Sequence, residues 1–116
     1  MQPVACDQDL RDAIYLGLRR RLSELDIVWI RDVGRATLPD WDLLGWAAAE
    51  GRMLLTQDKR TMPVNVAGRL RAGLTVPRVV LIPQAVAVRV AIEDVAYLLS
   101  VATDADWDGH VIWLPV

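Results

Sequence analysis

Two aspartates stand where strands should end. Asp7 follows the run Gln2-Pro3-Val4-Ala5-Cys6, and Asp58 follows Arg52-Met53-Leu54-Leu55-Thr56-Gln57. A third acid, Asp40, opens the helical stretch between those two strands. In an open parallel sheet the carboxyl ends of the strands form the ligand crevice, at the point where strand order reverses. Carboxylates gathered there repel one another unless a cation joins them. Asp7, Asp40 and Asp58 are therefore candidate catalytic and metal-binding residues for Mg²⁺ or Mn²⁺. Mg²⁺ takes oxygen ligands and keeps several waters, so one to three carboxylates suffice. Such an ion polarises a phosphodiester and helps generate hydroxide from water.

Asp9 and Asp42 are reserve ligands. Asp9 is close enough to Asp7 to contribute through water, whereas Asp42 lies about 200° round a helix from Asp40. Arg11, Lys59 and Arg60 are the cations nearest these acids in sequence and are candidates for holding substrate phosphate. Each acid also has a purely structural reading. Asp7 or Asp9 could cap the first helix. Asp40 could be the acidic member of a Thr37–Asp40 capping box. Asp58 could be a turn residue or cap the helix that follows.

The elements that must position these residues alternate along the chain. Pro3 to Cys6 reads as a short apolar strand. Asp9 to Leu25 is helical, with Leu10, Ile14, Leu18, Leu22 and Leu25 on one stripe and Arg11, Asp12, Arg19, Arg20, Ser23 and Glu24 on the other. Asp26 to Ile30 is a second strand, and residues 31–38 a loop. A helix from Leu38 to Glu50 stops at Gly51. Arg52 to Gln57 is a strand, Pro63 to Ala72 a helix closed by Gly73, and Arg78 to Ile82 a strand between prolines. Gln84 to Ala102 is a long helix and His110 to Leu114 a last strand. The order βαβαβαβαβ predicts a three-layer α/β, Rossmann-like domain around a mainly parallel five-stranded sheet. The first and third strands should be neighbours, which sets Asp7 beside Asp58.

Bulk properties narrow the classes. The 116 residues suffice for a single domain spanning 1–116. A hydrophobic share of 53% with 24% charged residues is globular rather than disordered. The net charge of −2 gives no global basic field. A single cysteine excludes an internal disulfide and points to a reducing cytoplasm. One cysteine and one histidine exclude a Cys/His zinc cluster. The N-terminus lacks the pattern of a signal peptide, and no apolar run reaches the length of a membrane span.

Three segments, in order, resemble the compact PIN-like nuclease domains, relatives of the VapC toxins of prokaryotic toxin–antitoxin pairs. They are Ala5-Cys6-Asp7-Gln8-Asp9, Pro39-Asp40-Trp41-Asp42-Leu43-Leu44, and Glu50-Gly51-Arg52-Met53-Leu54-Leu55-Thr56-Gln57-Asp58-Lys59. The last is similar to that family's signature of hydrophobic strand, Thr, any residue, Asp. The likeness covers about the first half of the chain by motif and the rest by element order. It implies a PIN-like fold and a Mg²⁺- or Mn²⁺-dependent endoribonuclease. Asp7, Asp40 and Asp58 would be its metal-binding acids, RNA its substrate and a small antitoxin protein its partner. One position departs from the pattern: Arg60 stands where such domains often carry another acid.

Rival readings remain. A PIN-like module that binds protein or RNA without cutting is compatible with Arg60 and the acidic net charge. A phosphorelay receiver has a similar element order, but it needs a hydroxyl ending the fourth strand and a lysine ending the fifth. Leu81-Ile82-Pro83 and Trp113-Leu114-Pro115 supply neither. Asp104, Asp106, Asp108 and Gly109 mimic half of an EF-hand loop, but Pro115 occupies the place of its bidentate Glu. His110 reads as a surface residue, and Cys6 as a small core residue. Trp41 and Trp46 flank the Leu43, Leu44, Ala47 stripe, either at the core edge or at an interface. The high apolar content of so small a chain predicts a homodimer or a partner-bound complex.

Overall fold

The computed structural model describes residues 1–101 and 111–116. Its strands are β1 (Val4–Cys6), β2 (Ile27–Trp29), β3 (Met53–Thr56), β4 (Val79–Leu81) and β5 (Val111–Trp113). The helices α1 (Asp12–Arg21), α2 (Asp40–Ala49), α3 (Met62–Arg71) and α4 (Val88–Val101) alternate with them. All strand pairs are parallel, in the order β2-β1-β3-β4-β5. As expected, β1 lies beside β3, with Cys6 opposite Leu55. Strand order reverses between these two, so the ligand crevice of the sheet lies beyond Cys6 and Thr56.

The strands are short and apolar because both faces of the sheet are covered. Successive side chains point to opposite faces. Val4, Cys6, Met53, Leu55 and Val80 meet Ile14, Tyr15 and Leu18 of α1 and Ala91, Val95 and Leu99 of α4. Ala5, Leu54 and Val79 meet Leu43 and Leu44 of α2 and Met62 and Val66 of α3. Two helices on each face make the three layers. Gly51 and Gly73 follow α2 and α3 with positive φ, as their stop positions require.

Several boundaries differ from the sequence reading. The first helix starts at Asp12, because residues 7–10 first make a turn in which the Leu10 N–H donates to the Asp7 carbonyl. It ends before Leu22, yet Leu25 is buried with the stripe to which it was assigned. A 3₁₀ turn at Ile30–Val33 occupies part of the expected loop. The Thr37–Asp40 capping box does not form: Pro39 is the N-cap, with no side-chain cap bond, and Asp40 is the first helical residue. The cause is local, since proline disfavours the helical region for the residue before it, here Leu38. The last long helix begins at Val88 rather than Gln84, after a turn in which the Val86 N–H donates to the Pro83 carbonyl.

Trp46 packs against the second core layer, and the Trp41 ring abuts Gly68 of α3 with the Arg69 guanidinium 5.5 Å from its centroid. Both tryptophans are therefore core-edge residues. The Asp104–Gly109 segment and His110 lie outside the described residues. No helix among the described residues is long and apolar enough to cross a membrane.

Candidate functional site

Asp7, Asp9, Asp40 and Asp58 all lie at the carboxyl edge of the sheet, near enough to act on one another's charge. Asp7 continues β1 and is 95% buried, with only 5% of its surface exposed. Three contacts fix its backbone. The Asp7 N–H donates to the Leu55 carbonyl (2.9 Å), while its own carbonyl accepts from Leu10 N–H (3.0 Å) and Trp29 Nε1 (3.0 Å). Its carboxylate accepts from the Thr56 hydroxyl at 2.9 Å and from the Gln8 N–H at 2.8 Å.

Thr56 also links the two strand-end acids, because its Oγ1 accepts the Asp58 N–H at 3.1 Å. Asp58 folds back on the turn that follows. Its Oδ1 accepts the N–H groups of Arg60 (3.0 Å) and Thr61 (2.9 Å). The turn role considered for Asp58 is thus real. The capping role considered for Asp7 and Asp9 is not: α1 has no side-chain cap, and the N–H of Arg11 is taken by Gln57 Oε1 at 3.0 Å. Gln57 also donates to the Ile82 carbonyl, tying the ends of β3 and β4 to the start of α1.

Asp40 and Asp58 meet at Thr61. The Thr61 hydroxyl lies 2.8 Å from Asp40 Oδ2 and also bonds Asp58 Oδ2. A hydroxyl carries one proton and can donate to only one of them. The other carboxylate oxygen gets no proton from Thr61, and a carboxyl proton or a cation can fill that place. Of the two, Asp40 is the one whose carboxyl is shifted toward holding a proton and Asp58 the one shifted toward ionisation. Partial burial raises the Asp40 carboxyl above the usual range, and the nearby Asp58 and Asp9 add to this against the Thr61 bond. Partial burial also pushes Asp58 up, but the bonds from Thr61, Arg60 and Asp40 outweigh it and its net direction is downward. At Asp7, burial raises the carboxyl despite the bonds from Thr56 and Gln8, and repulsion by Asp40 and Asp9 adds to it.

Among the described residues no lysine or arginine forms an ion pair with these four acids. Nor do three Asp, Glu, His or Cys side chains converge as a ready-made ligand set. The donors fit Mg²⁺ or Mn²⁺ in a narrower way. They are oxygen-only, and Mg²⁺ needs just one or two carboxylates because it keeps its waters. The Asp40–Asp58 pair meets that need; Asp7 lies deeper, with one hydrogen bond on each carboxylate oxygen, from Gln8 and Thr56.

The remaining candidates separate. Asp9 lines an open depression with Gln57, Asp58, Arg60, Thr61 and Gln84, so it belongs to the group. Asp42 is exposed on another side of α2 and is not among the charges acting on Asp40. Arg60 and Lys59 are exposed at the rim. Arg11 is turned toward α4, with Nη2 donating to the Val86 carbonyl at 2.9 Å. Cys6 is fully buried, and burial pushes its thiol well up, as for an inert core residue.

Thr61, Gln57 and Trp29 were not among the residues singled out in the sequence. Asp58-x-x-Thr61 at a helix start is a local signal that could have found Thr61. Trp29 and Gln57 act through partners distant in sequence, which no local pattern reveals. Compared with known proteins, the chain matches no family model, no curated protein and no solved structure.

Proposed function

We propose that the chain is a Mg²⁺- or Mn²⁺-dependent ribonuclease of the PIN-like kind. The observation that carries this reading is the meeting of Asp40 and Asp58 at Thr61, at the carboxyl edge of a parallel sheet, beside the buried Asp7. Carboxyl groups this close, with no basic partner among the described residues, favour a cation. Asp40 and Asp58 would hold it, with Asp7 and Asp9 adding negative potential. When bound, the ion supplies Lewis-acid polarisation of the phosphodiester and a more acidic water.

The chain's own groups do the rest. The turn at Asp58–Thr61 fixes the Asp58 carboxylate before substrate arrives, so little reorganisation is needed. The Thr56 and Gln8 bonds hold Asp7 in one orientation. Arg60 and Lys59, exposed at the rim, supply positive charge for flanking phosphates, with Arg11 further round. The PIN-like kinship, a toxin role, a small antitoxin partner and homodimer formation rest on the three sequence segments and on apolar content.

A second reading has its own support. Asp58 is satisfied by turn bonds, and Arg60 lines the depression, which suits a module that binds RNA or protein without cutting. Cleavage of a fluorescent RNA with and without Mn²⁺ separates the two. The nuclease reading expects metal-dependent cleavage that Asp58→Asn and Asp40→Asn reduce at least a hundredfold, the scale for loss of a key electrostatic group. Absence of metal-dependent cleavage by the unsubstituted protein would leave the binding module.

A further inference from the structure

An arginine at the same edge of the sheet stands ready to meet a flat group. Trp29 ends β2 opposite Cys6, so the residues that follow it lie beside Asp7. Its indole is pinned from within: Nε1 donates to the Asp7 carbonyl, and the ring packs on Tyr15 with centroids 4.8 Å apart. On the exposed side the Arg31 guanidinium carbon lies 3.4 Å from the indole centroid, a stacking distance. Asp12 lies 3.5 Å from its Nη2, an exposed ion pair on the same side. The Arg31 side chain nevertheless stays 45% exposed. A guanidinium backed by an indole has given up part of its rotamer freedom before any ligand arrives. Its outer face is planar and cationic.

We propose that Arg31 sets a preference for single strands by stacking on an unpaired nucleobase of the bound strand, one indole away from Asp7. This rests on the RNA-hydrolase reading above. Single-stranded nucleic acid is recognised by stacking bases on aromatic rings or guanidinium planes, and such stacking tolerates any base because every base has a π-face. The expected occupant is thus a single strand rather than a duplex, whose bases cannot reach a flat surface residue.

The test is fluorescence anisotropy with a labelled single-stranded RNA and with the same strand carrying abasic positions, in an Asp58→Asn background so that the strand survives. Arg31→Lys keeps the charge and loses the plane. It is expected to weaken binding of the intact RNA at least about fivefold and to leave binding of the abasic strand unchanged. Arg31→Ala should weaken both, the intact strand more. Equal affinity of Arg31→Lys and the parent for intact RNA would overturn the stacking role, as would an equal loss on both strands. A parent protein that binds neither strand would overturn the RNA reading together with this one.

Discussion

Asp7 is the place where stability and function should pull in opposite directions. Its carboxylate is 5% exposed and has two hydrogen-bond donors, but no basic partner among the described residues. Burial is the largest influence on it and raises the carboxyl, with Asp40 and Asp9 adding repulsion. A native carboxyl that titrates above its unfolded value contributes stability below the ordinary Asp range, about pH 4. That contribution is lost as pH rises through the raised native value. Above its raised native value, and without divalent ions, the charged Asp7 therefore weighs against the fold, and a tenfold bias against the charged form corresponds to about 1.4 kcal/mol.

Asp7→Asn keeps the shape and removes the charge. It should raise stability at pH 7.5 in EDTA by about 0.5–2 kcal/mol, the range for relieving a strained functional position. In a domain of this size that is roughly 2–10 °C in Tm. Urea and thermal melts of both proteins from pH 3.5 to 8 provide the assay. The gap should be small near pH 3.5 and open as pH rises. Mg²⁺ should then stabilise the wild type and narrow the gap. An Asp7→Asn protein less stable than wild type at pH 7.5 in EDTA would show that the carboxylate serves the fold, and would refute the reasoning.

Two further predictions concern the scaffold. Leu54 is fully buried in central β3 on the α2/α3 face, so Leu54→Ala should cost about 2–5 kcal/mol by urea denaturation. Arg69 is buried; its Nη1 donates to the Trp41 carbonyl and its Nε to the Thr75 carbonyl, joining α3 to the first turn of α2 beside Asp40. Arg69→Met should cost about 2–3 kcal/mol, because it leaves two carbonyls without their charged donor. It should also weaken Mn²⁺ binding in calorimetry while Leu70→Ala, an exposed neighbour, leaves it unchanged.

Much of this fold is legible in the residues. The short apolar runs at Val4–Cys6, Met53–Thr56 and Val79–Leu81, separated by helical patterns, dictate a parallel sheet, and β1 and β3 are neighbours as that topology demands. Which face each strand residue takes is not legible, because Val4, Ala5 and Cys6 are all apolar and carry no alternation. Helix starts are the least legible. Pro39 and the Asp7–Leu10 turn act through backbone conformation, which the apolar stripes do not record. The acids were visible as strand-end residues, but their pairing was not. The expected neighbours were Asp7 and Asp58, and these are linked through Thr56. The direct meeting is between Asp40 and Asp58, through a threonine in the turn after β3.

Mn²⁺ titration calorimetry at pH 7.5 tests the central claim most directly, comparing wild type with an Asp40→Asn, Asp58→Asn double variant whose fold is verified by circular dichroism. Saturable binding to the wild type that the double variant loses is the expected result. No saturable heat with the wild type, or equal binding by the folded double variant, would contradict a cation site between Asp40 and Asp58.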